Sequence, residues 1–274
     1  MPEAPDLYVL REYLAPRMEG EVIESARELR PLVVRNLVGE PLVEHVCGRK
    51  IEGLDRKGKL LLMSLSGGIS MVVSPMLTGD LSLVEASKKP LKSTILTMNL
   101  GGGMQLRYSD AKRMGQIYYV GSDNVSEITR VADQGPDVLD DPLSLADFRL
   151  ALKRFRGEVK GVLTRGELVA GIGNAYADEV LWAAGIFPFR KVSRFTVDDV
   201  NRLHEAVYGV PSQAVATLRG IFGQRHPRKD RKFLSVHGKP GSDCPRCGST
   251  ISSVKSRQRD TNFCRKCQPG SMFD

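Results

Sequence analysis

The spacing of apolar residues changes character twice along the chain. In "LYVLREYLAPRMEG", Leu7, Leu10, Leu14 and Met18, with Val9 and Tyr13 beside them, recur at the i, i+3, i+4 spacing of one helical face, and Gly20 stops the run. From about residue 21 to 120 the pattern becomes short apolar runs between turns: "KLLLMSL", "ISMVVSPML", "STILTMNL", "MQLRYSD" and "QIYYVG", with "GGG" at 101–103 suited to a hairpin turn. These predict a β-rich half behind a leading helix. "SDNVSEITRVADQGPDVLDDPLS" is polar, acidic and punctuated by Pro136 and Pro142, which predicts a connection between domains. Helical spacing then returns. Ser144 is placed to cap "LADFRLALKRF"; "YADEVLWAAG" and "TVDDVNRLHEAVYGVPSQAVATLRG" follow, the last expected to break at Pro211. "RHPRKDRK" at 225–232 reads as a charged, mobile loop, and there is no internal repeat or low-complexity tract.

A length of 274 residues suits two domains, at about 100–200 residues each. No apolar run approaches the roughly 18 residues needed to cross a bilayer, and no basic, then apolar, export signal opens the chain. The expected location is therefore the cytoplasm, or a nucleoid within it. Net charge adds more, because it is unevenly placed. From Arg219 onward, thirteen Lys or Arg stand against four Asp and no Glu, which leaves that segment at +9 and the preceding 218 residues near −1. Charge so concentrated points to a polyanion, nucleic acid before anionic lipid, with a merely solubilising face as the alternative.

Four of the five cysteines fall as "CPRC" at 244–247 and "CRKC" at 264–267, a C-x2-C-x16-C-x2-C spacing. It fits a tetrahedral zinc site of Cys244, Cys247, Cys264 and Cys267 better than two disulfides in a chain without an export signal. Four thiolates leave no coordination position for water or substrate, so the expected metal is one structural Zn²⁺. The residues between the pairs include Lys255, Arg257 and Arg259, whose charges can grip phosphate. Cys47, alone in "LVEHVCGRK", reads as a buried small hydrophobe, and the four histidines share no ligand spacing. In "LVAGIGNAYADEVLWAAG" a Gly-x-Gly-Asn turn opens a helix, where backbone N–H groups and the helix dipole suit an anion; tight helix packing is the other reading.

With "MPEAPD" at the start, "GKLLLM", "GPDVL", "GIGNAYADE" and "CPRCGSTI…RQRDTNFCRKCQ" in that order, the chain resembles the formamidopyrimidine-DNA glycosylase and endonuclease eight family of base-excision repair enzymes. These anchors run from residue 2 to 268. The resemblance implies an α+β chain: an N-terminal β-sandwich catalytic domain with a leading helix (1–122), a linker (123–143), a helix-two-turn-helix domain (144–236) and a zinc-finger hairpin (237–274). It also implies a monomer acting on damaged DNA.

Within that resemblance the opening acquires a chemical reason. Once the methionine is removed, Pro2 is a free secondary amine, and an α-amino group with a pKa of about 7.7–8.0 is unprotonated at neutral pH roughly 300 times more often than a lysine. The resemblance implies attack by Pro2 on C1′ of the damaged nucleotide, with Glu3 as proton carrier, and Asp6 capping the helix and supporting the site. Lys59, grouped with the catalytic pair, Asn174, Arg259 and more weakly Lys160 would hold phosphates. Leu77, Arg113 and Met114 would fill the gap left by the flipped nucleotide. Leu77 leans towards the endonuclease eight branch and "DAKRMG" towards the formamidopyrimidine branch, so oxidised purines and oxidised pyrimidines both stay open. A non-catalytic nucleic-acid-binding protein on the same scaffold is the alternative function.

Overall fold

The computed structural model describes residues 1–30, 34–256 and 259–271; the side chains of Ser256 and Arg259 lie outside the described part. Contacts divide the chain into two compact units, one of Met1–Pro2, Asp6–Ala132 and Phe222–Arg228, the other of Glu3–Pro5, Asp133–Ile221 and Lys229–Asp274.

The first unit holds most of helix α1 (Ala4–Met18) and nine strands: β1 (Ile23–Glu28), β2 (Val34–Asn36), β3 (Ile51–Lys57), β4 (Leu60–Leu65), β5 (Ile69–Ser74), β6 (Gly79–Glu85), β7 (Thr94–Leu100), β8 (Met104–Asp110) and β9 (Gln116–Gly121). They form a four-stranded sheet, β1-β7-β8-β6, and a five-stranded sheet, β2-β9-β5-β4-β3. Both sheets send alternate side chains into one core, Leu81, Met98 and Leu106 from the first and Leu61, Met71 and Tyr119 from the second, which makes a sandwich. The predicted face of α1, with Leu7, Leu10, Leu14 and Met18, packs into the same core. On the outer side of the larger sheet Leu60, Val72 and Val120 are covered by Ile128 and Val131. Strand β5 is thus buried on both faces, and "ISMVVS" accordingly carries no charged residue.

The second unit contains α4 (Leu145–Leu152), α5 (Val159–Arg165), α6 (Asn174–Ala184), most of α7 (Val197–Phe222) and a hairpin of β10 (Ser252–Ser256) and β11 (Arg259–Phe263). The short helices α2 (Leu42–His45) and α3 (Thr129–Ala132) belong to the first. Ser144 caps α4 as expected, its hydroxyl accepting from the Asp147 N–H at 3.1 Å. Among the described residues no helix is long and apolar enough to cross a membrane.

Two local expectations are corrected. Helix α7 does not break at Pro211. Leu203, Val207, Pro211, Ala214 and Leu218 form one buried stripe, and the proline ring fills a place in it, so packing outweighs the lost hydrogen bond. Cys47 is exposed, since Val46 takes the inward position and the Cys47 thiol bonds the Val43 carbonyl at 2.9 Å. The segment 123–143, the expected connection, contains the Ala132/Asp133 boundary between the two units. Its first part carries Ile128 and Val131 onto the sheet, and its second pairs with 166–170, with Ala170 N–H donating to the Pro136 carbonyl at 2.8 Å. In the 225–232 loop Pro227 is buried and the His226 ring meets Tyr13 edge-on at 5.3 Å.

Candidate functional site

Glu3 is 2% exposed, and its carboxylate sits at the N-terminus of α6. Gly173 N–H donates to Oε2 at 2.6 Å, Ala175 N–H to Oε1 at 2.9 Å and Tyr176 N–H to Oε2 at 3.1 Å. The Ala4 N–H, one residue on, donates to the Gly171 carbonyl at 3.0 Å. The GIGN turn therefore binds an anion through its backbone, and that anion is a side chain of this chain. Unsatisfied N–H groups and the positive end of the helix dipole suit a carboxylate there. Gly173 is required for space: a Cβ on it would lie 2.5 Å from the Glu3 carboxyl carbon.

Pro2, the neighbour of Glu3, belongs to the first unit and lines a cavity of about 30 Å³ with Asp6, Leu10, Pro75, Tyr108 and Pro227. Asp6 is buried in the first turn of α1, inside the helix and not at its cap. Lys59 occupies the two-residue turn between β3 and β4, beside Gly58 in a left-handed conformation (φ 57°) whose carbonyl accepts from Arg56 Nη1 at 2.8 Å.

Leu77, Arg113 and Met114 are exposed at the tips of two loops, 75–79 between β5 and β6 and 110–115 between β8 and β9. Met76 (φ 50°) and Arg113 (φ 52°) are the two non-glycine residues with positive φ among the described residues, one in each loop. Such conformations cost on the order of 1–3 kcal/mol and persist only where surrounding contacts enforce them. Between the loops lies Tyr108, whose phenol is pushed up by burial and by the nearby carboxylates of Asp110 and Asp80.

Lys160 and Asn174 both reach the hairpin. Lys160 Nζ pairs with the buried Asp178 carboxylate at 2.6 Å and donates to Thr261 Oγ1 at 2.9 Å and the Asp260 carbonyl at 3.2 Å. Asn174 Nδ2 donates to the same carbonyl at 3.0 Å. Asp178 is shared further, meeting His237 Nδ1 at 2.7 Å and accepting from the Asn262 N–H at 3.2 Å. Next to it, Glu179 accepts from the N–H groups of Ser235, Val236 and His237 at 2.7–2.8 Å. Consecutive carboxylates on α6 thus fasten the hairpin and the loop before it. Arg259 opens β11 opposite Ser256; its side chain lies outside the described residues.

The four thiols of Cys244, Cys247, Cys264 and Cys267 lie within 4.8 Å of one another, with Cys247–Cys264 at 3.4 Å and Cys244–Cys267 at 3.8 Å. A tetrahedron with Zn–S bonds of about 2.3 Å has sulfur–sulfur edges of about 3.8 Å, so the donor set fits one structural zinc ion. Hydrogen bonds from the side chain and backbone of Ser249 hold the Cys247 thiol down to about 6. Burial, then the neighbouring thiols, pushes Cys267 up to about 12. Outside the ligands, the Trp182 indole donates to Cys244 Sγ at 3.4 Å and Gln268 bridges the Cys264 N–H and the Ile186 carbonyl, each at 2.9 Å.

Known proteins match nearly the whole chain. Residues 1–117 match the formamidopyrimidine-DNA glycosylase N-terminal domain, 134–225 its H2TH domain, and 241–270 the zinc finger found in FPG and IleRS. The formamidopyrimidine-DNA glycosylase of Moorella thermoacetica is 35% identical, over 93% of this chain and 95% of that protein. That of Deinococcus radiodurans is 31% identical over 98% of each. Among solved structures, MutM in complex with DNA containing carbocyclic 8-oxo-G superposes with a TM-score of 0.88 at 29% identity, covering 98% of this chain and all of that one. Lactococcus lactis Fpg with abasic-site DNA gives 0.88 at 30%, with the same coverage. Three domains matched in order, with identity sustained from end to end, place the chain in the formamidopyrimidine-DNA glycosylase family of DNA repair enzymes.

Proposed function

We propose that this protein excises oxidised bases from DNA and cuts the strand at the resulting abasic site, acting as a monomer through the amine of Pro2. The observation that carries the reading is the buried Glu3 carboxylate, fixed by three backbone N–H groups directly after Pro2 in the chain. With Met1 removed, the Pro2 nitrogen attacks C1′ as the base departs with the electrons of the glycosidic bond and takes a proton from water; Glu3 accepts the proton the proline nitrogen sheds on bonding and passes it to the sugar-ring oxygen as the ring opens, which leaves C1′ as an iminium on the proline. That iminium acidifies C2′, so loss of a proton expels the 3′ phosphate. A second elimination expels the 5′ phosphate, and water releases the proline amine and the sugar fragment. Lys59, Asn174, Arg259 and, more weakly, Lys160 take phosphates, Asn174 and Lys160 also setting the hairpin that carries Arg259, and Leu77, Arg113 and Met114 fill the duplex gap. Work in the nucleoid fits these roles.

Duplex oligonucleotides carrying 8-oxoguanine, a formamidopyrimidine, thymine glycol or an abasic site test the reading. The expected product is a one-nucleotide gap with phosphate on both ends. Binding of abasic duplex without any nick would favour the non-catalytic alternative. Affinity for DNA should fall about 40-fold between about 50 and about 200 mM salt if three phosphates are neutralised, and an affinity unchanged by salt would contradict both readings.

A further inference from the structure

The two loops carrying Leu77 and Arg113–Met114 meet at one buried side chain. Asp110 is 1% exposed and ends β8, paired in register with Gly79 at the start of β6. Its Oδ1 accepts from the Thr78 hydroxyl and from the Lys112 N–H at 3.1 Å, and its Oδ2 accepts from the Gly115 N–H at 2.7 Å. The Thr78 hydroxyl also accepts from the Lys112 N–H at 3.0 Å, so it bridges both loops. Behind them a Cβ on Gly79 would lie 2.4 Å, and one on Gly115 1.8 Å, from the Tyr108 hydroxyl. An Asx turn serving one loop would not reach Thr78, more than thirty residues upstream.

We infer that Asp110 is a positioning residue which, through Thr78, locks the two loops into one rigid wedge, so that Leu77, Arg113 and Met114 enter a duplex together. The inference rests on the reading of those three residues as gap-filling. Insertion orders exposed side chains against unstacked bases, and a wedge already fixed in shape carries less of that ordering cost into the complex. The strained Met76 and Arg113 backbones, one per loop, are what such a joint must hold in place.

The test uses the whole protein and a duplex with 2-aminopurine opposite an abasic site, whose fluorescence rises as the base is unstacked. Thr78→Val keeps the shape and removes the bridging hydroxyl; Thr78→Ser keeps the hydroxyl; Asp110→Asn turns one acceptor into an NH2 group. Thr78→Val and Asp110→Asn are expected to slow both the fluorescence rise and duplex cleavage about tenfold, while Thr78→Ser stays within about twofold of the parent. Leu77→Ala with Met114→Ala reports on the wedge itself. If that pair loses both signals while Thr78→Val and Asp110→Asn keep them, the joint is unnecessary although the wedge stands. If the pair keeps both, the wedge reading fails and the inference with it. Equal loss in Thr78→Val and Thr78→Ser also overturns it, and these two decide the matter should Asp110→Asn not fold.

Discussion

Glu3→Gln is expected to lower single-turnover base excision by about 10³-fold, within the range removed when a positioned proton carrier is lost. The substitution keeps size and shape, so the effect is chemical before it is steric. It also sets an NH2 group against N–H donors from Gly173, Ala175 and Tyr176, where at least one donor must go unanswered. An unmet donor in a site this buried costs about 1–3 kcal/mol, read as a lower melting temperature. Gly173→Ala separates seat from chemistry: Glu3 remains a carboxylate but is pushed out by the new Cβ, so excision should fall while the acid is intact. Excision at parental rates in Glu3→Gln would remove this residue from the reaction.

Stripping the metal is expected to be nearly as damaging, by a different route. Strands β10 and β11 have five residues each, and a two-stranded hairpin is marginal in water without help. Its small core is Val236 and Ile251 with Cys244 and Cys264, and zinc closes it. Without the ion the Thr261 and Asp260 partners of Lys160 and Asn174 lose their fixed positions, and the chain's strongest concentration of positive charge is no longer presented on a rigid support. Chelation, or Cys264→Ser, should release one equivalent of zinc and weaken DNA binding by about 100-fold or more, on the scale expected when several phosphate contacts disappear. The sandwich has its own core, so its unfolding transition should persist. Full affinity in zinc-free protein would contradict this role for the hairpin.

The parts of the fold legible in the sequence are those decided by local pattern. The runs that read as strands, "KLLLMSL", "ISMVVS", "STILTMNL", "MQLRYSD" and "QIYYVG", became β4, β5, β7, β8 and β9, all interior strands of the two sheets. The strands without so plain a signal, β1, β2, β3 and β6, are the four sheet edges, where one half-buried face and charged residues such as Glu52 and Asp55 suffice. Pro211 misled because local propensity gave way to a buried stripe around it. In the site, the zinc ligands were readable from spacing alone. The seat of Glu3 was not, since its partners are backbone groups about 170 residues away. Asp178, Glu179 and Asp110 likewise gain their meaning from partners distant in sequence. The one local hint was that α6 carries two adjacent acids, Asp178 and Glu179, in a helix that is apolar around them.

The claim on which the reading depends is that the Pro2 nitrogen bonds C1′ of the lesion nucleotide. Protein mixed with abasic duplex DNA and reduced with borohydride, then digested and sequenced by mass spectrometry, should yield one sugar adduct on an N-terminal peptide that lacks Met1, with the added mass on Pro2. An adduct on Lys59 or another lysine, or full cleavage activity in protein that retains Met1, would contradict it.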